Sequence, residues 1–449
     1  MCAHCSLPYD TFPGNVESEI LEIAVKAHSR KIILHRYYRK CSCPSVPNNP
    51  QIITAPPPPK LIPKSTLGVS IYVAVLIGKF LYGLPLNRIL SSFVNSGMPI
   101  AAGTVTDALP KISQLFIPIQ EAFYKHQMTE LWFNNDESRW KVYVLIEGKI
   151  NYLWWLWVTR SPDVVYFTIS SSRSASVPME HFANLQAENV ILVVDRYSSY
   201  KKLARLNPHI ILAFCWVHVR RDFINLDISY PQLKQWGNTW VLEIGTLYNI
   251  NKQRLVHWQK EFPLDQQNEQ FNKEHVILKE KLTQMNERAT QLLLADKVAQ
   301  AAVKLPPIGK GKKKACVPVP GELHAVQRER LVSLLNHWDG LNVFVDHPEV
   351  PMDNNRGEQA IRGPVVGRKN FNGSSSLESA ELTAQMYTQL PTVKQWGLNP
   401  EHWLKDYLVA CAAAGGKAPV DLTPFLPWEM SLERRQHLAT PPHDLPDST

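Results

Sequence analysis

The chain has 449 residues, 45% of them apolar, enough to build two or three domains around a sizeable core. Lysines and arginines number 48 against 40 acids, and the net charge of +8 permits a polyanionic partner without requiring one. The opening MCAHCSLPYDTFPG lacks the apolar core of a secretory signal, and seven cysteines, four of them within the first 43 residues, argue for a reducing setting and metal binding rather than disulfides.

In chain order, residues 1–50 form a small module rich in Cys and His. Cys2 and Cys5 have the usual two-residue zinc spacing, and Cys41 and Cys43 follow with one residue between. Four thiolates on one zinc is one reading; a broken finger at a frayed terminus is the other. Residues 51–66 read as a linker, stiffened by the prolines of Ala55–Lys60. Residues 67–128 read as helical, with breaks near Gly83-Leu84-Pro85 and Gly97-Met98-Pro99. The apolar stretch Leu67–Leu86 contains Lys79 and three glycines, which favours a buried helix over a membrane span. Leu84–Leu109 reads as a helix, a glycine turn and a second helix opening at Thr104, either a DNA-binding helix-turn-helix or generic helical packing.

From 129 to 228 the character changes. ELWFNND, KVYVLI, YLWWLWV, VVYFTI, NVILVVD and IILAF are short β-branched and aromatic runs, and Pro178–Leu185 between them is helical. Several strands, a helix and an apolar strand ending in Asp195 predict an α/β fold with a mixed sheet. Trp154, Trp155 and Trp157 lie in an apolar strand and read as core. Residues 229–350 are mainly helical and polar, interrupted by the Gly-rich loop Lys304–Lys314, with five lysines and no acid. Residues 351–400 return to helix, and 401–449 form a C-terminal segment with a polar tail.

Three carboxylates stand out. Asp136 follows LWFNN and Asp195 follows VILVV, which predicts both at strand ends on one edge of the sheet. Glu358 lies in MDNNRGEQAIRGPVVGRKNF, four residues before Arg362, so the two share a helix face; the segment is expected to break at Gly363-Pro364 and resume with Arg368 and Lys369. Phosphodiester cleavage needs a nucleophilic oxygen at neutral pH and a stabilised leaving oxygen. Two divalent ions roughly 4 Å apart, held by carboxylates, do both, and magnesium suits oxygen ligands and substrate phosphate. Glu137, beside Asp136, is a rival ligand.

Here the sequence resembles a known family. DNNRGEQAIRGPVVGRKNF looks like the C-terminal signature of transposases of the insertion sequence 66 family, with Gln359 and Gly363 in place of a common arginine and proline. NNDESRW, VVDRYSSYKKL, CWVHVRRDF, TVKQWGLNPEHWLKDYL and FLPWEM match other family segments in order, although Ser138 stands where the family usually has threonine. The resemblance covers nearly the whole chain. It implies an RNase H-like mixed-sheet core with a helical insertion, preceded by a zinc-finger-like module and a helical region. It also implies a catalytic and metal-binding triad of Asp136, Asp195 and Glu358, with Mg2+ (or Mn2+) as cofactor and a structural Zn2+ on Cys2, Cys5, Cys41 and Cys43. The expected partners are DNA, as terminal inverted repeats and target, further copies of the chain in a homo-oligomeric paired-end complex, and small accessory proteins, with no membrane. The expected location is the bacterial cytoplasm, at the nucleoid. Family members usually carry a segment before the first cysteine pair, so a truncated or silent DNA-binding remnant is one alternative; a nuclease without strand transfer is another.

Cys215-Trp-Val-His218 resembles a Cys-x-x-His element of several transposase families. As a zinc fragment it lacks two partners, so His218 reads either as a structural histidine or as a group orienting a phosphate or water. Arg220, Arg221, Arg362, Arg368 and Lys369 are the candidate phosphate contacts.

Overall fold

The computed structural model describes residues 1–8, 27–45, 47, 50–147, 151–302 and 322–439. The lysine loop Lys304–Lys314 and the polar tail fall outside these residues. The chain divides into two compact units, one of Met1–Pro57 with Leu90–Ala101, the other of Pro58–Ile89 with the chain from Ala102 onward. In the first unit, β1 (Arg36–Tyr38) and β2 (Ile52–Thr54) pair antiparallel, with Arg36 opposite Thr54. Every residue of both strands is exposed, so this ladder has no core of its own. Its second strand lies in the stretch expected to be linker.

The predicted helical region holds α1 (Val69–Phe80), α2 (Leu86–Asn95), α3 (Ala102–Thr106), α4 (Leu109–Leu115) and α5 (Ile117–Gln127). The element expected to open at Thr104 opens two residues earlier and is a short helix. Helix α1 buries Tyr72, Val73, Leu76, Ile77 and Phe80. Its Lys79 ammonium sits 5.3 Å from the ring centroids of both Phe80 and Phe371, so the stem is covered while the charge faces two π-clouds. Among the described residues no helix is long and apolar enough to cross a membrane.

Five strands form one mixed sheet: β3 (Trp132–Lys141), β4 (Leu153–Arg160), β5 (Val165–Ser170), β6 (Val190–Val194) and β7 (Ile210–Phe214), in the order β5-β4-β3-β6-β7. The first three are antiparallel neighbours, and β6 and β7 run parallel to β3. The chain is therefore an α/β protein. Two predicted runs, ELWFNND and KVYVLI, are not two strands. The polar Asn134–Arg139 stretch remains extended because β4 pairs with it along its whole length, from Asn134↔Arg160 to Lys141↔Leu153. Beyond Val142 the second run leaves the sheet.

Helices α6 (Ser176–His181) and α7 (Ser198–Leu206) cover one face, and α7 supplies the crossover that parallel β6 and β7 require. The interleaved residues Phe133, Trp157, Leu192, Val194, Tyr200 and Leu203 form the core there. On the other face Trp140, Trp154, Leu156, Val158 and Phe167 meet the helices of the N- and C-terminal regions. Trp154 and Trp157 are core as predicted, and Trp155 is half-buried under the Arg173 guanidinium, 4.7 Å from its ring centroid.

After β7 come α8 (Trp216–Ser229), α9 (Lys234–Val256), α10 (Glu269–Ala302), α11 (Ala325–Asn336) and α12 (Trp338–Asp346). They enclose a separate core of Phe223, Trp240, Leu247, Leu278, Met285 and Leu331. Helix α13 (Asn355–Phe371) returns to the sheet, followed by α14 (Leu377–Gln395), α15 (Pro400–Ala413) and α16 (Leu432–Ala439). The expected break at Gly363-Pro364 does not occur. A proline inside a helix costs about 3 kcal/mol; here Pro364 is buried, and neighbouring Ile361, Val365 and Phe371 join the main core.

Both sheet edges are covered. Thr392 and Thr388 of α14 accept the Val165 and Phe167 N–H groups of β5, each at 2.9 Å. At β7, α12 comes so close that a Cβ on Gly340 would lie 2.5 Å from the Phe214 ring and 2.9 Å from the Leu212 carbonyl. Among the described residues these contacts leave no long open sheet edge to recruit another strand.

Candidate active site

Strand alternation builds the first part of the site. Parallel β3 and β6 pair Trp132 with Ile191 and Asn134 with Val193. Two residues beyond that pairing stand Asp136, on β3, and Asp195, just past the end of β6, and strand alternation sets both toward one face. Asp195 immediately follows β6, as predicted. Asp136 does not end its strand; it lies midway along β3, flanked by β4 through Asp136↔Val158.

Helix α13 supplies Glu358 in its first turn. The residues before it explain how the helix is aimed. Asn354 donates from Nδ2 to the Asn135 carbonyl at 2.9 Å and accepts from Asn134 Nδ2 at 2.9 Å. Its own N–H reaches the Cys215 sulfur at 3.2 Å. Asp353 accepts the Asn355 N–H at 3.0 Å and the Tyr248 hydroxyl at 3.2 Å. The two residues thus tie the start of α13 to the central strand, to α8 and to α9. Gly357 permits the approach: a Cβ there would lie 2.8 Å from Asn354 Oδ1 and 3.3 Å from Asn134 Cβ.

The electrostatics place the three carboxylates in one field. Burial first, then the charges of Glu137, Glu358 and Asp195, push the Asp136 carboxyl up to about 7. The Glu137 N–H, donating to Asp136 Oδ1 at 2.8 Å, pulls the other way. Glu358 lies 3.6 Å from His218 Nε2 and 3.8 Å from Arg221 Nη2, and its Oε1 is buried with no hydrogen-bond partner among the described residues. The three acids are not drawn into one tight cage. Among the described residues, the groups of three possible ligands lying within 4.8 Å of one another are Cys215–His218–Glu358 and His126–Glu130–Asp163.

Glu137 projects to the opposite face of β3, where its environment is already complete. Arg173 donates to its Oε1 from Nε and Nη2, at 2.9 and 2.7 Å, and the Tyr200 hydroxyl donates to Oε2 at 2.7 Å. The same hydroxyl donates to Asn135 Oδ1 at 3.0 Å. Burial and the surrounding acids drive the Tyr200 phenol well above its ordinary range, so it remains a donor.

The basic residues separate into groups. His218 and Arg221, in the first turns of α8, reach Glu358. Arg368 lies along the same face of β3, with Nη1 3.4 Å from Ser138 Oγ, and burial lowers its guanidinium pKa. Arg220, Arg362 and Lys369 stand exposed. Cys215 is buried and its thiol is pushed up to about 11, chiefly by burial. The four N-terminal cysteines stand as two pairs. Backbone hydrogen bonds, from His4 to Cys2 and from Cys43 to Cys41, lower the first thiol of each pair. Among the described residues, the groups of three close possible ligands do not include these cysteines.

Sequence reasoning missed Asn354, Gly357, Tyr248 and the Glu137–Arg173–Tyr200 cluster. The Asp-Asn-Asn run was visible, but nothing in it says that the first asparagine would bind across to β3.

A family model described as "Transposase IS66 family" matches residues 64–305 and 322–382. Three proteins of Sinorhizobium fredii, each described only as uncharacterized (y4jD, y4hP and y4qI), are 25%, 24% and 22% identical over 96%, 84% and 84% of this chain. The chain spans 78% of the first relative's length and 65% of that of each of the other two.

Proposed function

The chain belongs to the transposase IS66 family, and from that premise we propose that it cleaves a DNA strand at each end of an insertion sequence and joins the freed 3′-hydroxyl to target DNA. Asp136, Asp195 and Glu358 are the catalytic carboxylates in this reading, on an RNase H-like core. Three antiparallel strands followed by two parallel to the first support that core. One observation carries the proposal: parallel β3 and β6 pair Asn134 with Val193, two residues before Asp136 and Asp195, and Asn354 ties the start of the helix bearing Glu358 to β3.

The donor set fits a divalent cation. Glu358 Oε1 makes no hydrogen bond among the described residues, and Asp136 is destabilised as an anion by burial and the neighbouring acids, so a cation beside Asp136 would be favoured. Asp136, Asp195 and Glu358 would hold magnesium or manganese, which supplies activation of the attacking oxygen and charge neutralisation at the phosphate. The chain's own groups do the rest. Arg221 and Arg368 bind the phosphate backbone beside the carboxylates, and exposed Arg220, Arg362 and Lys369 extend that basic surface. His218 orients Glu358 through its Nε2. Arg173 and Tyr200 hold Glu137 on the far face, fixing the strand that carries Asp136 without themselves touching DNA. The N-terminal cysteine pairs, if brought to one zinc, would give the coreless β1–β2 ladder a fold. Terminal inverted repeats, a paired-end multimer, accessory proteins and a site of action on cytoplasmic DNA complete the reading.

The test is a nicking assay on duplexes carrying the element's own ends, with magnesium, comparing wild type with Asp136→Asn. Nicks at the element boundary from wild type alone are the expected result. Binding without cutting by either protein would identify a silent DNA-binding remnant, and cutting without joining would identify a nuclease.

A further inference from the structure

Cys215, His218 and Glu358 form a second donor set, of which the catalytic reading uses only the glutamate as a ligand. The Cys215 sulfur, a ring nitrogen of His218 and a carboxylate oxygen of Glu358 all lie within 4.8 Å of one another. Their positions are built in rather than incidental. Cys215 is tied to β6 by its N–H donating to the Val194 carbonyl at 3.1 Å, and to the start of α13 by the Asn354 N–H on its sulfur at 3.2 Å. The three-residue spacing puts His218 in the first turn of α8, beside it. Two polar atoms of the set, His218 Nδ1 and Glu358 Oε1, are buried and have no hydrogen-bond partner among the described residues. His218 Nε2 stands 3.6 Å from the same Glu358 oxygen, an ion-pair contact rather than a hydrogen bond, and a cation taking one donor atom from each residue would offset the desolvation cost that remains.

We infer that Cys215, His218 and Glu358 form a binding site for a divalent cation of the zinc class, and that zinc bound there withdraws Glu358 from the magnesium site and halts strand cleavage. The binding site stands on geometry alone; the inhibitory consequence rests on the catalytic reading of Glu358. A sulfur donor selects against magnesium, which takes hard oxygen ligands, and in favour of zinc. Three protein donors leave a fourth position for water, an arrangement zinc accepts. Binding replaces the S–H bond by a sulfur–metal bond, and the proton leaves to solvent. The sequence showed the Cys-x-x-His pair without partners; the fold supplies the third donor from a residue far along the chain.

The experiment uses the full chain with Cys2, Cys5, Cys41, Cys43 and Cys316 changed to serine, and cobalt(II) as the spectroscopic probe. A thiolate-to-cobalt charge-transfer band saturating at one equivalent is expected, and it should vanish on further Cys215→Ser substitution. His218→Ala should weaken cobalt binding at least about tenfold, as loss of even an outer-shell partner does, and a retained thermal melt shows that the variant folds. No band, or a band that survives Cys215→Ser, overturns the site. In the nicking assay, stoichiometric zinc should suppress magnesium-dependent cutting by this background protein, and Cys215→Ser should cut equally with and without zinc. Zinc inhibition persisting in Cys215→Ser overturns the regulatory half. If the unsubstituted chain, assayed in parallel, never nicks in magnesium, the catalytic reading fails and the inhibitory half falls with it, while the cobalt titration still decides the site.

Discussion

Replacing Asp136 by asparagine keeps an acceptor for the Glu137 N–H, now at 2.8 Å, and removes only the charge. The structure sets the size and sign of the effect. In the native state the Asp136 carboxyl is raised from 3.8 to about 7, first by burial and then by the surrounding acids. Ionising it in the folded protein therefore costs roughly 4 kcal/mol more than in the unfolded chain. A raised native value means that the folded state holds the proton more tightly. The stability this confers is complete below 3.8, falls as pH rises toward 7, and is absent above it. Asparagine has no such dependence. In chelator at pH 8, Asp136→Asn should be the more stable protein by as much as about 4 kcal/mol, a shift of several degrees in Tm. The gap should close as pH falls toward 4. Glu130, whose carboxyl is also pushed up to about 7, titrates in both proteins and cancels. Magnesium should raise the Tm of wild type at pH 8 and leave the variant nearly unmoved, because only an ion bound to the native state shifts the equilibrium. Thermal melts at pH 5 and pH 8, with chelator and with magnesium, decide the matter. A gap independent of pH, or an equal magnesium response in both proteins, would refute the argument that Asp136 is a partly buried anion awaiting a cation.

Asn354→Ala removes two hydrogen bonds to β3 and leaves the Asn134 amide and the Asn135 carbonyl unpaired. We expect a loss of about 2–4 kcal/mol in denaturant melts, and cleavage falling more than DNA affinity. Gly357→Ala puts a methyl 2.8 Å from Asn354 Oδ1 and should cost about 1–3 kcal/mol while pushing α13 off the sheet; unchanged cleavage would show that the spacing is not critical. Glu137→Gln weakens the pair with Arg173, yet the magnesium-induced rise in Tm should persist, since Glu137 faces away from Asp136. Arg368→Ala should lower affinity for all DNA sequences alike and reduce the slope of log affinity against log salt by about one, read from binding isotherms at several salt concentrations.

Much of this protein is determined locally and is therefore readable in the sequence. The apolar runs of β4 to β7 and the helices of 69–127 depend on periodicity, and Asp195 could be placed because a five-residue apolar strand must end there. The family signature pointed to Asp136 and Glu358 as candidates. Other features needed partners that are remote in the chain. The Asn134–Arg139 stretch is too polar to declare itself a strand; it is extended because β4 pairs with it throughout, which is why Asp136 was misplaced at an end. Pro364 breaks isolated helices, and only burial of α13 against the main core holds it in one. Glu137 and Asp136 are neighbours in sequence and indistinguishable by composition. Pleating sends them to opposite faces, where Arg173 and Tyr200 saturate one and the remaining acids crowd the other. Sequence determined which residues are candidates for the chemistry because side-chain type and spacing are local properties. Tertiary structure decided which of them meet, because that depends on strand register, on Asn354 bridging to β3, and on a glycine small enough to let a helix approach.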